Sequence, residues 1–305
     1  MDIYAGDGLM KSRKKRRIIV LIMVPVILFF CWLQNNWLVV SQYTYASEML
    51  PKEFEGYRIV QISDLHNVSF GSDNSRLLKK IQELSPDMVV VTGDVVDSNH
   101  TNLEVAITFA KQVASEYPTY YVTGNHENWL EDYERTELMN GLKNAGVICL
   151  ADEAVKISRE GSSITLVGLN DESLSGPTLK LVLTKMDEAI GQRTPGMDGD
   201  DRQERFDEEV TDFQILLAHE PQYLENYSEA GVDLVLTGHA HGGQFRFPIV
   251  GGGLVAPDQG FFPKYSEGMH EMGSTTMIIS RGLGNSIIPV RLFNLPEIVC
   301  VELGR

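Results

Sequence analysis

The feature that most constrains the fold of this chain is a series of short apolar runs, each followed at once by polar residues. Helical patterns separate several of these runs, and strands that alternate with helices indicate an α/β domain built on a mixed sheet. In open α/β sheets the carboxyl ends of the strands line the crevice in which ligands bind. We therefore expect the polar clusters to meet in one place. The five clusters are Asp64-Leu65-His66, Gly93-Asp94-Val95-Val96-Asp97, Gly124-Asn125-His126-Glu127, His219-Glu220 and Gly238-His239-Ala240-His241.

Predicted strands and helices cover most of the remaining chain. Apolar runs predict strands over 38–45, 58–63, 87–92, 119–123, 147–150, 213–218, 232–236 and 297–302, and a hairpin formed by 154–158 and 164–168. Apolar residues at helical spacing predict helices over 74–84, 103–114, 130–145 and 178–190. The segment 191–212 carries eight acidic residues and little apolar surface to bury. This composition predicts a solvated loop, with a functional lid as the alternative.

Charge is unevenly distributed along the sequence. The net charge is −16, yet residues 1–17 contain six Lys and Arg against two Asp, so the rest of the chain carries −20. A body this acidic repels phosphate backbones, and no nucleic-acid partner is expected. A small phosphorylated ligand could still bind if metal ions supplied positive charge. The three cysteines, Cys31, Cys149 and Cys300, are far apart and predict no disulfide framework.

An apolar segment follows the basic residues. Residues 18–33 are uncharged, and extension to Trp37 gives about twenty residues, enough to cross a hydrocarbon core of ~30 Å. Trp32 and Trp37 are typical interfacial anchors, and the basic residues are expected to stay cytoplasmic. The sequence thus predicts a basic tail (1–17), a single transmembrane signal anchor (18–37) and an extracytoplasmic domain (38–305). A cleaved signal peptide is the alternative, but cleavage at its weak site, 44–46, would remove the first predicted strand.

The polar clusters supply side chains that suit transition metals. Carboxylate, amide and imidazole together favour Mn, Fe, Co, Zn or Ni over metals that prefer thiolates. Seven donors exceed the needs of one tetrahedral ion but suit two ions that share a carboxylate, an arrangement that promotes in-line displacement at phosphorus. Because residues two apart in extended backbone project to the same side, we expect each Asp-x-His or His-x-His pair to serve one point. The donors are Asp64, His66, Asp94, Asn125, His219, His239 and His241.

The complete set of motifs resembles that of the calcineurin-like metallophosphoesterases. The resemblance extends from about residue 55 to the C-terminus, and the segments 242–248, 256–265 and 280–286 are similar to those of a bacterial membrane-anchored branch. It implies two mixed β-sheets packed as a sandwich, with helices outside. The matching motifs are Asp64-x-His66, Gly93-Asp94-x-x-Asp97, Gly124-Asn125-His126-Glu127, His219 and Gly238-His239-x-His241.

The resemblance also implies a role for each site residue. Asp64, His66 and His241 would bind one metal, Asn125, His219 and His239 would bind a second, and Asp94 would bridge them. His126 would stabilise charge or protonate the leaving oxygen, and Glu127 would orient His126. Asp97 would hold its own loop by hydrogen bonds. Arg281 is left with two alternatives, a contact with a substrate phosphate and a structural ion pair.

The expected function is hydrolysis of a phosphoric ester with two divalent ions (Mn, Fe, Zn or Co). A phosphodiesterase or pyrophosphohydrolase is favoured, in which a hydroxide bridging the metals attacks phosphorus at the outer face of the membrane. The expected substrate is a small or lipid-linked phosphoryl compound. The alternative is a membrane-tethered binding scaffold with the same fold and no catalysis. It is disfavoured because the sequence retains every ligand of the motif set.

Overall fold

The computed structural model describes residues 5–174, 213–247, 252–285 and 288–305, together with Leu179 and Val182. The predicted helix over 178–190 and the acidic segment 191–212 lie outside the described residues, apart from those two positions. The helices are α1 (Ala5–Asn36), α2 (Ser75–Leu84), α3 (Leu103–Ala114), α4 (Asn125–Asn128), α5 (Asp132–Asn144) and α6 (Leu224–Glu229). The strands are β1 (Val39–Ala46), β2 (Arg58–Ile62), β3 (Met88–Thr92), β4 (Thr119–Val122), β5 (Ile148–Cys149), β6 (Glu153–Arg159), β7 (Ser162–Gly168), β8 (Gln214–Leu217), β9 (Leu234–Thr237), β10 (Val255–Ala256), β11 (Gly260–Phe261), β12 (Gly268–Met272), β13 (Thr275–Ile279) and β14 (Glu297–Gly304).

Two mixed six-stranded sheets pack face to face, with helices outside, as the family resemblance implies. One sheet has the order β1-β14-β2-β3-β4-β5 and the other has the order β12-β13-β9-β8-β7-β6, while β10 and β11 form a separate ribbon. The β2 to β5 strands are parallel to one another, and so are β7, β8, β9 and β13. The parallel strands therefore end at a common edge in each sheet.

Alternation along β3 shows why these strands are apolar on both faces. Met88 and Val90 pack in the core between the two sheets, whereas Val89 and Val91 pack on the opposite face with the buried residues of α2, α3 and α5. Successive side chains of a strand point to opposite faces, so a strand covered on both sides needs a continuous apolar run. A third core, which includes Leu224 of α6, covers the outer face of the second sheet.

Within the described part of the domain, the predicted elements agree with the observed ones to within about two residues. The predicted helix over 130–145 is preceded by a separate turn, α4, and begins only at Asp132. Glu131, immediately before α5, has extended backbone and forms a capping box with Glu134, which fixes that start. The short α4 therefore carries the third polar cluster apart from the longer helix.

The N-terminal helix is long and apolar enough to cross a membrane. The most apolar 18-residue window within Arg16–Asn36 has a mean hydropathy of 2.4, and most of the apolar side chains from Ile18 to Phe29 are at least half exposed. The helix begins at Ala5, so the predicted basic tail is mostly part of it. Its last turns contact the domain: the rings of Phe30 and Phe293 lie 5.6 Å apart, and Asn285 donates a hydrogen bond to Asn35.

Strand register places the end of this helix beside the edge where β2 ends. Val39, at the start of β1, pairs with Glu297 at the start of β14. The β14 strand runs antiparallel to β2, and Val299 pairs with Gln61. The carboxyl end of β2 and the point where α1 enters the domain therefore lie at the same edge of the first sheet.

Candidate metal centre

The five polar clusters lie together at the carboxyl ends of β2, β3, β4, β8 and β9. The β2, β3 and β4 strands belong to one sheet, and β8 and β9 belong to the other, so the site spans the ends of both sheets. The Gln61 side-chain amide links the two sheets next to the site. It donates to the Thr92 hydroxyl in its own sheet and to the Thr237 carbonyl in the opposite sheet. Six of the seven predicted donor residues are at least 96% buried: Asp64, His66, Asp94, His219, His239 and His241.

The first group of donor atoms consists of Asp64, His66 and His241. The Nε2 atoms of the two histidines lie 3.3 Å apart. Nε2 of His241 is 3.4 Å from Oδ1 of Asp64, and Nε2 of His66 is 3.5 Å from Oδ2 of Asp94. These atoms face a common point at the end of β2.

The second group consists of Asn125, His219 and His239. Oδ1 of Asn125 lies 2.9 Å from Nδ1 of His239 and 3.1 Å from Nε2 of His219, and these two nitrogens are 3.2 Å apart. Oδ2 of Asp94 lies 3.2 Å from Nε2 of His219. The same Asp94 oxygen therefore faces both groups, which is the position of a shared ligand.

These separations fit a pair of divalent transition ions. Ligand atoms at about 2.0–2.2 Å from one ion, at angles of 90–110°, lie roughly 2.8–3.6 Å from each other. The distances within each group, 2.9–3.5 Å between the closest donors, fall in this range. The groups also contain the imidazole, carboxylate and amide donors that such ions accept.

The electrostatics of the site favour positive charge beside Asp94. Burial opposes ionisation of Asp94, but positive charge on His219 and a hydrogen bond from it hold the Asp94 pKa far below its usual range. Burial likewise lowers the pKa of His219, and Asp94 more than offsets this, so the His219 pKa is raised well above 6.5. A bound cation would take over this role, since the carboxylate needs a positive partner when buried.

The other histidine pair is held neutral, which is the form that binds metal. Burial lowers the pKa of His66 to about 3, against the opposing effect of Asp94. Burial, aided by the Arg291 guanidinium, lowers the pKa of His241 well below 6.5. Each neutral ring therefore keeps one nitrogen lone pair that a metal ion can use over the physiological pH range.

Asp64 and His66 serve one group as expected, but the expectation was wrong for His239 and His241, and neither pair has extended backbone. His239 and His241, two residues apart, belong to different groups, and their φ angles are 65° and 48°. Left-handed backbone rotates successive side chains away from the common direction they would share in a strand. Each such residue costs of order 1–3 kcal/mol, so the surrounding packing must enforce the turns. The donors with left-handed backbone are Asp64, His66, Asp94, His239 and His241.

Two glycines allow the clusters to approach each other. Gly93 has a φ of 89°, and a Cβ there would lie 2.5 Å from Nδ1 of His219. A Cβ on Gly238 would overlap the Ser63 hydroxyl and the Asp64 carboxylate. Glycine is needed at both positions because the neighbouring atoms are site side chains fixed by their own contacts.

His126 lies beside both groups. One of its nitrogens is within 4.8 Å of donor atoms of His66 and Asp94, and its backbone N–H donates to Oδ1 of Asp94 at 2.9 Å. The Ser98 backbone N–H donates to Nδ1 of His126 at 3.1 Å, and Oδ1 of Asp97 lies 3.7 Å from the same nitrogen. Because Nδ1 accepts this hydrogen bond, the proton of the neutral ring lies on Nε2.

The Glu127 carboxylate binds backbone N–H groups, whereas the predicted role was to orient the His126 ring. Oε2 of Glu127 accepts hydrogen bonds from the backbone N–H groups of Asp94 (2.8 Å) and Gly124 (2.7 Å), and Oε1 accepts one from Val96 (3.3 Å). These contacts tie the second polar cluster to the third. The contacts at Nδ1 of His126 instead come from Ser98 and Asp97. Ser98 was not among the residues predicted from the sequence motifs.

Three acidic residues to which the sequence analysis gave no role also lie beside the second group. Oδ2 of Asp258 lies 2.9 Å from Nε2 of His239, and Glu220 has a carboxylate oxygen within 4.8 Å of the same ring. Burial, followed by the charge of Asp171, raises the pKa of Glu220 to about 7. Burial also raises the pKa of Asp171. Asp171 and Asp258 are distant from His239 in the chain and gave no signal of this proximity, whereas Glu220 directly follows His219 and was recognised only as part of its cluster.

Arg281 forms the structural ion pair that was one of its two alternatives. Its guanidinium donates to Oε1 of Glu297 at 2.9 Å and lies 3.5 Å from Oε2 of Glu267. The backbone N–H of Arg281 also donates to Glu297. These contacts hold the start of β14 against the loop after β13.

Comparison with known proteins supplies the family. The calcineurin-like phosphoesterase profile matches residues 57–243. The chain is 27% identical over 278 residues to the uncharacterized metallophosphoesterase YkuE of Bacillus subtilis, a match that covers 89% of this chain and 87% of YkuE. It is 26% identical over 250 residues to the phosphodiesterase YaeI of Escherichia coli, covering 81% of this chain and 82% of YaeI. It is also 30% identical over 269 residues to the Danio rerio transmembrane protein with metallophosphoesterase domain, covering 85% of this chain and 55% of that protein. The chain therefore belongs to the calcineurin-like phosphoesterase family and is a metal-dependent phosphoesterase, a hydrolase of phosphoric ester bonds.

Proposed function

We propose that the chain hydrolyses phosphodiesters or pyrophosphates with two divalent transition ions bound at the paired donor groups. The observation that carries this proposal is the position of Asp94, whose Oδ2 lies 3.2 Å from Nε2 of His219 and 3.5 Å from Nε2 of His66. A carboxylate oxygen shared in this way requires the two ions to be close neighbours. Paired ions are the usual arrangement for in-line displacement at phosphorus.

The seven donor residues would divide into two sets. Asp64, His66 and His241 would hold one ion, and Asn125, His219 and His239 would hold the other, with Asp94 between them. Bound divalent ions would neutralise phosphoryl oxygens and lower the pKa of coordinated water. His219 is already oriented for this task, because its Nδ1 lies 2.7 Å from the Thr92 carbonyl and leaves Nε2 towards the site.

His126 would act on the phosphoryl group through Nε2. The Ser98 N–H occupies Nδ1 of the neutral ring, so the proton on Nε2 is the one that can be donated. A hydrogen bond from this nitrogen to a phosphoryl or leaving-group oxygen would stabilise the negative charge that develops there. Ser98 and Asp97 would be positioning residues for the ring, and Glu127 would hold the two loops that carry Asp94 and His126.

Charge favours a diester over a monoester. A phosphomonoester carries close to two negative charges at neutral pH, since its second pKa is about 6, whereas a diester carries one. The chain beyond residue 17 has a net charge of −20, and Asp171, Glu220 and Asp258 lie beside the second donor group. The name of the relative YaeI, a phosphodiesterase, agrees with this preference.

Metal analysis combined with two chromogenic substrates tests the proposal. We expect the purified full chain to carry two transition ions and to hydrolyse bis(p-nitrophenyl) phosphate faster than p-nitrophenyl phosphate. Asp94→Asn should lose both bound metal and turnover, whereas Asp132→Asn, at an exposed position on α5, should retain both. Preference for the monoester would reject the diesterase assignment. Full metal content without hydrolysis of diester, pyrophosphate or monoester would favour the binding scaffold.

We also propose that α1 is a retained anchor and that the catalytic domain lies at the outer face of the membrane. The length and apolarity of Arg16–Asn36 support the span, and the basic residues before it support a cytoplasmic N-terminus. The test is an immunoblot of fractionated cells with protease added from outside. A membrane-bound, full-length product with an accessible domain is expected. A soluble product that begins near Ser47 would reject the anchor.

A further inference from the structure

We propose that four exposed phenylalanines form a surface that rests on the lipid bilayer and seats the catalytic domain with its metal centre at the membrane. We call this surface the aromatic rim, and it consists of Phe247, Phe261, Phe262 and Phe293. The inference depends on the proposed membrane insertion of α1, and it is independent of the reaction catalysed. The occupant we assign is the hydrocarbon and headgroup boundary of the leaflet into which α1 delivers the domain.

The rim is unusual in its exposure. The four side chains are 52%, 75%, 73% and 53% exposed in the order of the chain. Among the described residues beyond α1, every other phenylalanine is at least partly buried. Phenylalanine has no polar atom to satisfy in water, so a group of four with this exposure indicates a surface that is covered in its working environment.

Backbone contacts place the four residues on neighbouring segments. Phe245 and Leu292 form a parallel bridge; Phe247 lies two residues after Phe245, and Phe293 lies one residue after Leu292. The Leu254 backbone N–H donates to the Phe245 carbonyl, and the Phe262 N–H donates to the Leu254 carbonyl. Adjacent strands are about 4.8 Å apart, so the four segments span roughly 15 Å. The four exposed phenylalanines therefore lie in one region of the fold, on three neighbouring segments of the chain.

Phe293 sets the level of this surface relative to the bilayer. Its ring packs 5.6 Å from the ring of Phe30 in α1. Phe30 lies four residues, or about 6 Å along the helix axis, before Gln34, the first polar residue after the apolar run. Phe293 therefore lies at or below the outer boundary of the hydrocarbon core when α1 spans it. This continuity with the membrane helix identifies lipid as the partner that covers the rim.

Hydrogen bonds fix the domain in this orientation. Oε1 of Gln34 accepts from the Asn294 backbone N–H at 3.3 Å, and the Asn294 amide donates to the His241 carbonyl at 2.7 Å. Asn285 bonds to Asn35 and accepts from the fully buried Arg291. Asn294 thus links the end of the membrane helix to the candidate metal ligand His241 by hydrogen bonds.

The rim and the metal centre share the ribbon formed by β10 and β11. Asp258, which contacts Nε2 of His239, lies three residues before Phe261 in the turn of this ribbon. If Phe261 and Phe262 enter the interface, the second donor group lies within a few residues of the headgroup layer. A phosphoester held in the membrane would then meet the centre without leaving the bilayer.

Photo-crosslinking from the rim tests the inference directly. The full chain is reconstituted in nanodiscs of phosphatidylethanolamine and phosphatidylglycerol, with p-benzoylphenylalanine in place of Phe262. The matched control carries the same residue in place of Met49, which is 53% exposed and lies beyond the far end of β1. After irradiation, mass spectrometry identifies the adduct. We expect lipid adducts at position 262 and none above background at position 49.

Three results would overturn the inference: equal lipid yields at the two positions, adducts to a second copy of the chain, and adducts to another protein. A double variant, Phe261→Ser with Phe262→Ser, provides a second test that does not use the crosslinking residue. We expect this variant to retain its metal content and its turnover of soluble bis(p-nitrophenyl) phosphate while its β10–β11 peptides lose protection from hydrogen exchange in nanodiscs. Unchanged protection would count against bilayer contact. Failure of the proposed hydrolase function would leave the crosslinking outcome unaffected.

Discussion

Replacement of Glu127 separates two roles for this buried carboxylate. If Glu127 ties the loops, Glu127→Gln should lower stability and metal retention, because the glutamine amide group meets the Val96 N–H as a second donor. Burial, with a further effect from Asp94, raises the pKa of Glu127 to about 8. We therefore assign each of the two short hydrogen bonds accepted by Oε2 the value for an uncharged group, about 1 kcal/mol. The side-chain oxygen of glutamine can accept both of these bonds.

The expected cost of Glu127→Gln is then about 1–3 kcal/mol, the penalty for one buried N–H left without an acceptor. Glu127→Ala leaves three such groups and should cost about 5 kcal/mol on the same scale. For a domain of this size, about 2 kcal/mol corresponds to a fall in Tm of roughly 4–8 °C. Glu137→Gln, an exposed change of the same chemistry on α5, should leave Tm unchanged.

Calorimetry and metal content, measured on the same preparations, decide between the roles. A loop-tying Glu127 predicts that Tm and bound metal fall together in the order Gln, then Ala, with turnover per bound metal largely preserved. An orienting Glu127 predicts normal Tm and metal content with reduced turnover. The second pattern would refute the reasoning from the hydrogen bonds and restore the role implied by the family resemblance.

Four further outcomes follow from the geometry of the site. His126→Ala should retain both metals and lose turnover by about 10²–10⁴-fold, measured with the soluble diester at full metal loading. Asp258→Asn should weaken retention of one ion by about 10–100-fold in a chelator competition. Gly238→Ala should reduce metal content and Tm because its Cβ overlaps the Asp64 carboxylate, whereas Gly304→Ala, where a Cβ meets nothing closer than 3.7 Å, should not. Chelation of the metals should lower the Tm of the wild-type chain, and added Mn²⁺ or Zn²⁺ should restore it.

Much of the fold could be predicted because its signals are local. The run Met88–Thr92 is apolar on both faces and short, which indicates a strand covered on both sides, and α3 begins and ends at the predicted residues. The gathering of the polar clusters follows from the parallel direction of the strands. A single rule about strand ends therefore places side chains that are up to 177 residues apart in the sequence, as Asp64 and His241 are.

The contacts that position the site side chains could not be predicted, because they depend on turns and on distant loops. Asp258 reaches His239 from the β10–β11 ribbon, and Ser98 reaches His126 through a backbone N–H, a group that every residue but proline possesses. Neither contact leaves a residue pattern that could be recognised in one sequence. The capping of α5 likewise depends on Glu131 and Glu134, a pair that the apolar periodicity does not include.

The left-handed backbone of the donor residues explains why metal binding requires the surrounding fold in addition to the ligand residues themselves. Five donor residues have φ angles between 45° and 65°, a conformation that costs free energy at each non-glycine position. Packing between the two sheets, the Glu127 contacts and the close approach at Gly93 and Gly238 are the observed features that oppose this cost. Because these features lie outside the ligand set, changes that leave every donor in place can still empty the centre. Metal content should therefore follow the integrity of the turns as closely as it follows the identity of the ligands.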